Sequence, residues 1–316
     1  MKVGTDIWNM TSVSSFNDYV AKMKECGIAR IRLGFDRDSV ANLRTLVPTV
    51  RANGIEVLGL LFRPDLAPDN VDAWGNWVYD IVREFRGYIN VWEIWNEPKI
   101  TGFANNPAGY TSFLKEAYTR AKQVDPACKI LGGSICFTKQ SALDFLTGMY
   151  ENGAKDYMNA VAWHPYCKPY SPEDTTYVNA YPRLKTHVRP IMESYGDYNP
   201  IWITEMGWAT NFPDGDGVTE AQQAEYLVTA LQMAIDWGFV EEFTIYNWKD
   251  SSTAGKFTKG LLRVDLSSKP SFFAVKDFIA AIPTLPIDLP TIAGIALAVA
   301  DALLITYAAA VFTGLI

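Results

Sequence analysis

Two spacings of apolar residues alternate along this chain. Short apolar runs recur, and between them lie stretches in which apolar residues return every third or fourth position. The first spacing is that of a buried strand, the second that of a helix with one dry face. Phe16, Tyr19, Val20 and Met23 share one such face, and Val71, Trp74, Val78, Ile81, Val82 and Phe85 share another. Asn106-Pro107 reads as an N-cap followed by proline at the first helical position, ahead of Tyr110, Phe113, Leu114 and Ala117. Thr219-Glu220-Ala221-Gln222 reads as a capping box that opens a helix through Ala224, Leu227, Val228 and Leu231. A glycine stands where helical stretches give way to apolar runs, at Gly27, Gly54, Gly87, Gly153 and Gly238. Without a Cβ it takes the left-handed conformation that ends a helix and turns the chain into the next strand. The predicted strands are 2–7, 29–35, 55–61, 90–95, 128–134, 157–163, 200–205 and 241–247. Strands alternating with helices imply a parallel sheet. Eight such units over about 280 residues predict a closed (β/α)₈ barrel, the TIM-barrel form of the α/β class, over an open doubly wound sheet. The chain has no G-x-G-x-x-G and no G-x-x-x-x-G-K-[S/T], which argues against the nucleotide-binding open sheet.

With 316 residues, 49% of them hydrophobic, the chain can build one large core, and residues 1–282 are assigned to a single domain. A net charge of −7 and the lack of any Lys/Arg-rich run exclude nucleic acid as the expected partner. Ten Trp and sixteen Tyr serve either an aromatic core or a cleft on which sugar rings stack, and composition does not choose between them. Cys26, Cys128, Cys136 and Cys167 form no CxxC pair, and no His spacing suits zinc. They read as buried apolar residues, with a bond between Cys136 and Cys167 left open. No metal and no organic cofactor is expected. The opening Met1-Lys2-Val3-Gly4-Thr5-Asp6-Ile7-Trp8 reads as a strand, not as a signal peptide.

In a barrel of this kind chemistry sits at the C-terminal ends of the strands. The fourth strand ends Glu93-Ile94-Trp95-Asn96-Glu97-Pro98 and the seventh ends Ile203-Thr204-Glu205-Met206-Gly207-Trp208. Each places a carboxylate at the tip of an apolar run, where desolvation is costly and a partner or a chemical task is needed. Two such carboxyls on one barrel face suit hydrolysis of a glycosidic bond, in which one holds a proton for the leaving oxygen and the other stays ionised. A negative Glu205 would help keep Glu97 protonated. The bland alternative is a pair of glutamates bridged to arginine.

Trp95-Asn96-Glu97-Pro98 and Thr204-Glu205-Met206-Gly207-Trp208 resemble the fourth- and seventh-strand signatures of glycoside hydrolase clan A, most nearly its families 5 and 39. The resemblance extends over residues 1–282. It implies a retaining glycosidase with Glu97 as acid/base, Glu205 as nucleophile and carboxyls roughly 5–5.5 Å apart. It implies further that Asn96 binds the sugar 2-hydroxyl and that Arg32, near the end of the second strand, holds Glu205 as an ion. His164-Pro165-Tyr166 fits the sixth-strand pattern, with Tyr166 donating to Glu205. Tyr246-Asn247-Trp248 supplies an aromatic floor, Trp248 preferred over Tyr246. Trp8 and Trp208, with Phe35, Phe62, Phe103, Tyr170 and Phe212, are candidate subsite walls or plain loop packing. Some family 5 members carry a histidine after the third strand, whereas this chain runs Leu61-Phe62-Arg63-Pro64-Asp65, which leaves the substrate open.

Residues 283–291 are proline-rich and read as a linker, and residues 292–316 are apolar save for Asp301. That tail is long enough to span a bilayer, so membrane association through it is expected. The alternative is a helix packed on the barrel or on a second copy of the chain, which makes it a route to oligomers. Against the glycosidase acting on a β-linked oligo- or polysaccharide stand two other readings. One is a non-catalytic carbohydrate-binding or surface/virion structural protein on the same barrel. The other is a phosphate-handling barrel, which would need clustered glycines after the last strands, and Gly255 and Gly260 are isolated.

Overall fold

The computed structural model describes residues 1–7, 12–213, 215–251 and 258–282. Eight strands, β1 Lys2–Asp6, β2 Arg30–Phe35, β3 Glu56–Leu61, β4 Val91–Ile94, β5 Lys129–Cys136, β6 Ala160–His164, β7 Ile201–Met206 and β8 Val240–Ile245, close into one barrel. Every neighbouring pair is parallel, and β1 closes the ring against β8 through Lys2↔Glu242, Val3↔Phe243, Gly4↔Thr244 and Thr5↔Ile245. Eight α-helices follow the strands in turn: α1 Val13–Cys26, α2 Val40–Ala52, α3 Val71–Glu84, α4 Pro107–Val124, α5 Gln140–Glu151, α6 Arg189–Ser194, α7 Glu220–Trp237 and α8 Pro270–Ala281. Between β6 and β7 the helical segment is short, a π turn at Leu184–Val188 running into α6.

The local signals act where the pattern put them. Gly27, Gly54, Gly87, Gly153 and Gly238 all take positive φ at the helix-to-strand turns. The Asn106 side chain caps α4 by accepting from the Gly109 N–H, with Pro107 as the first helical residue. Thr219 and Gln222 form the reciprocal capping box of α7. Caps of this kind stabilise a helix by about 1 kcal/mol. The buried face of α4 carries Tyr110, Phe113, Leu114 and Ala117 as expected. In α7 the buried set is Gln223, Leu227, Ala230, Leu231 and Ala234, so Ala224 and Val228 lie at the margin of the face. A glutamine can occupy the core because its amide is satisfied: Gln223 Nε2 donates to the Trp208 carbonyl at 2.9 Å and Oε1 accepts from Ser271 at 2.7 Å.

The barrel interior holds Leu58, Val91, Leu131, Ala160, Ala162 and Trp202 in one apolar cluster. At the N-terminal ends of the strands a cavity of about 410 Å³ lies between Arg30, Glu56, Lys129, Trp202, Glu241 and Glu242. Arg30 bridges Glu242 and Glu56 there. This charged end is opposite the strand tips, on the face of a barrel that serves stability rather than chemistry.

All four cysteines carry free, buried thiols, so the bond left open between Cys136 and Cys167 is absent. Met1–Ala280 forms one compact unit. The expected linker at 283–291 and the hydrophobic helical tail at 292–316 lie outside the described residues. The expectation of membrane association is corrected: no helix among the described residues is long and apolar enough to cross a membrane.

Candidate active site

The C-terminal mouth of the barrel gathers charge around one guanidinium. Arg32 points inward from β2 and is fully buried. Its Nε donates to Glu93 at 2.6 Å and its Nη1 to Asp6 at 2.7 Å and Glu205 at 2.6 Å; Nη2 reaches Asn96 Oδ1 at 2.9 Å. β1, β2, β4 and β7 thus meet in a single network. Glu93 also accepts from Ser134 on β5 at 2.6 Å and Thr204 on β7 at 2.7 Å. Burial pushes the Glu93 carboxyl up, but the Arg32 charge and His164 outweigh it and hold it at about 2.

His164 ends β6 between the acids. Its Nδ1 lies 3.0 Å from Glu97 Oε1 and 3.8 Å from Glu205 Oε2, and its Nε2 lies 3.0 Å from Thr204 Oγ1. Burial opposes a charge on the ring, yet Glu205, Glu93 and Glu97 together raise it to about 10. At neutral pH it is an imidazolium that donates from both nitrogens. The Tyr166 hydroxyl donates to Glu205 Oε2 at 2.7 Å. Burial raises Glu205, and the charges of His164 and Arg32 with the Tyr166 hydrogen bond more than offset it, leaving the carboxyl below its ordinary range.

Glu97 is set differently. It is half-buried at the tip of β4, and it faces the cleft. The backbone there is contorted: Trp95 and Glu97 have φ of 71° and 47°, uncommon for residues with a Cβ. Such a conformation persists only where its surroundings impose it. Here the Trp95 indole donates to the Thr101 carbonyl at 2.6 Å, the Thr101 hydroxyl binds the Asn96 and Glu97 carbonyls, and the Ile100 N–H donates to the Glu97 carbonyl at 2.8 Å.

The cleft at this end measures about 210 Å³ and is lined by Glu97, Cys136, Tyr166, Glu205, Tyr246 and Lys259, among others. One ligand atom each from Glu97, His164 and Glu205 falls within 4.8 Å of the other two. These are types that can hold a cation, while the acids that raise His164 favour its protonated ring over the neutral imidazole that coordination needs. Cys136 borders the cleft as a thiol, not a nucleophile, because burial and then the negative charges of Glu97 and Glu205 push its ionisation far up.

Arg32, Asn96, Glu97, His164, Tyr166, Glu205 and Tyr246 therefore converge, as their strand-tip positions predict. Two expectations are corrected. Trp248, preferred as the floor, is fully buried beneath the rim and packs against Phe272; Tyr246 lines the cleft instead. Trp208 is also fully buried, its indole donating to the Tyr170 carbonyl at 2.9 Å, so it supports the rim and offers no open face. Trp8 lies outside the described residues. Of the loop aromatics, Phe35 and Phe103 are core, while Tyr170 and Phe212 are exposed. Residues that sequence reasoning left without a role are Asp6, Glu93, Ser134, Thr204 and Lys259. Glu93 had a signal, an acid inside an apolar strand four residues before Glu97; the others had none.

The glycine of the seventh-strand motif has a steric cause. A Cβ on Gly207 would lie 2.1 Å from the Tyr246 carbonyl oxygen. Gly207→Ala must push the tips of β7 and β8 apart and displace Glu205 relative to Tyr246. The expected result is a folded protein whose kcat/KM on a glycoside falls about 10²-fold, the scale of a 1 Å misplacement. Unchanged steady-state kinetics in that variant would show that the two tips need not touch.

A closed parallel barrel with two strand-tip glutamates beside Arg, His and Tyr is the arrangement of a clan A glycoside hydrolase. The chain belongs to the glycosyl hydrolase catalytic core family, whose model matches residues 87–265. Solved structures share the fold. The monomeric β-xylosidase from Caulobacter crescentus CB15 has a TM-score of 0.66 at 19% identity, over 87% of this chain and 66% of that one. A glucosidase from Croceicoccus marinus has a TM-score of 0.66 at 16% identity, over 88% of this chain and 66% of that one. The GH39 enzyme from Xanthomonas axonopodis pv. citri has a TM-score of 0.66 at 18% identity, over 89% of this chain and 66% of that one. The chain thus spans just under two thirds of the length of these three structures. No curated protein matches it.

Proposed function

We propose that this protein is a retaining glycoside hydrolase, an O-glycosyl hydrolase that cleaves β-glycosidic bonds of an oligo- or polysaccharide through a covalent glycosyl-enzyme. In this reading Glu205 is the nucleophile. Its carboxylate oxygen forms a bond to the anomeric carbon as the bond from that carbon to the leaving oxygen breaks, and Glu97 gives its proton to that oxygen. A water then loses its proton to Glu97, its oxygen bonds to the anomeric carbon, and Glu205 departs as a carboxylate. Arg32, Tyr166 and His164 hold Glu205 anionic and aimed. His164 also orients Glu97, and Thr204 orients His164. Asn96, whose Oδ1 is engaged by Arg32, has its amide N–H groups left for the sugar 2-hydroxyl. Tyr246 offers a wall for the sugar ring.

The observation that carries this reading is the separation of the two carboxylates. One oxygen of each lies within 4.8 Å of an oxygen of the other, which supports the close approach of a nucleophile-bearing pair, whose carboxyl groups are roughly 5–5.5 Å apart. The test is the anomer first released, followed by proton NMR on an activated aryl β-glycoside, together with Glu97→Ala. The β-anomer is expected first. Glu97→Ala is expected to lose about 10²–10⁴-fold on substrates with a poor leaving group and far less on dinitrophenyl glycosides, which need no proton. First release of the α-anomer, or equal losses on both substrate classes, would overturn the assignment.

A further inference from the structure

Lys259 is a charged residue of the cleft with no part in that mechanism. Its ammonium lies 4.7 Å from the Tyr166 ring centre and 5.1 Å from that of Tyr246, at the wall shared with Glu205. Among the described residues no carboxylate or carbonyl pairs with it, whereas the nearby Lys269 is bound to Asp250 at 2.8 Å and Lys168 lies 3.3 Å from Asp216. The residues 252–257 just before it contain no acid. Burial first, and then the Lys168 charge, hold the Lys259 amine down at about 8, although the more distant charges of Glu205, Glu97 and Asp216 act the other way. An ammonium kept on two aromatic faces inside a reactive cleft, in a chain of net charge −7, is costly and brings the fold no ion pair in return. A negative group arriving with the substrate would supply what is missing.

We propose that Lys259 is a specificity-determining residue that selects glycosides whose sugar carries a carboxylate, that is, uronides, by pairing with that carboxylate beside Tyr246. The proposal rests on the glycosidase reading above and names its substrate class. A uronide fits because one ammonium matches one carboxylate.

The test compares 4-nitrophenyl β-D-glucuronide and β-D-galacturonide with the matching neutral glucoside, galactoside and xyloside, on wild type, Lys259→Met and Lys259→Arg. The wild type is expected to favour one uronide over its neutral counterpart. Lys259→Met is expected to lower that uronide-to-neutral ratio of kcat/KM by about 10- to 100-fold, the worth of a charge-assisted hydrogen bond, with Lys259→Arg restoring part of it. If Lys259 only balances Glu97 and Glu205, both substrate classes fall together and the ratio stays, which overturns the proposal and leaves the glycosidase reading intact. Binding of free glucuronate against glucose, followed by NMR titration, reads the same selectivity without turnover. A protein that hydrolyses no glycoside yet binds glucuronate through Lys259 sinks the mechanism and keeps this inference; equal affinity of wild type and Lys259→Met for glucuronate sinks the inference.

Discussion

Glu205→Ala is expected to lower kcat/KM on aryl β-glycosides by roughly 10⁴-fold or more, the scale on which losing one member of a catalytic unit is felt. The variant should remain folded. Glu205 contributes one acceptor each to Arg32 and Tyr166, and after its removal Arg32 still has Asp6 and Glu93. The side chain leaves a gap beside the anomeric carbon, so added azide or formate should restore part of the rate. The rescued product distinguishes the two glutamates. With Glu205→Ala the small anion attacks from the vacated face and yields an α-glycosyl azide. With Glu97→Ala the azide attacks the glycosyl-enzyme from the other face and yields the β-glycosyl azide. Chromatography with NMR assignment reads both. A β-azide from Glu205→Ala, or a variant that keeps a tenth of wild-type activity without rescue, would remove Glu205 from the nucleophile's role.

Arg32→Met should produce the largest loss of stability. It takes one guanidinium away from Asp6, Glu93 and Glu205, all buried, and leaves His164 as the remaining buried cation among them. Breaking a buried ion pair from one side costs about 3–5 kcal/mol, because the partner's charge stays desolvated. The pH dependence follows with a defined sign. In the wild type Glu93 is depressed from 4.5 to about 2, so its contribution is present above pH 4.5 and is lost as pH falls toward 2. Without Arg32 the leading influence on Glu93 is burial, which favours the protonated form. The variant should therefore be weakest at neutral pH and regain more stability on mild acidification than the wild type, which also gains there through His164, raised to about 10, and Glu242, raised to about 7. Thermal unfolding from pH 5 to 8 measures this. Parallel Tm profiles for the two proteins would show that Arg32 does not carry the charge balance of the site. Should Arg32→Met fail to fold, Arg32→Lys keeps the charge, gives up the fork that reaches four acceptors, and should fall between the two.

Much of the site is legible in the sequence because a barrel turns order along the chain into position around a ring. Once β4 and β7 are recognised, Glu97 and Glu205 must stand on the same rim, and Arg32, His164 and Tyr166 follow from β2 and β6. Glu93 and Lys259 show why other polar residues escape this logic. Glu93 sits within β4, where the period of a strand says only that it points inward, not that Arg32, Ser134 and Thr204 will meet it. Lys259 belongs to the segment between β8 and α8, which has no period to read. The misplaced aromatics fail for a related reason. Trp208 and Trp248 lie within three residues of strand tips, where strand alternation has ended and loop packing decides which ring faces water; Trp248 went under Phe272, and Tyr246 took the rim. The apolar tail shows the limit of hydropathy alone, since length and composition permit a membrane span without specifying one.

What the amino-acid order determined by itself is the alternation of eight strands and helices, the glycine and capping signals that time the turns, and the two rim carboxylates. These are consequences of local backbone preference and of which side chains avoid water, and both act over a few residues. What only the tertiary structure decided is the electrostatic character of the rim. Arg32 joins Asp6, Asn96, Glu93 and Glu205 across up to 173 residues of chain, His164 is charged because three acids surround it, and Lys259 stands without a counter-ion among the described residues. Charge state inside a protein depends on distances and burial among distant segments, and those exist only after the barrel has closed.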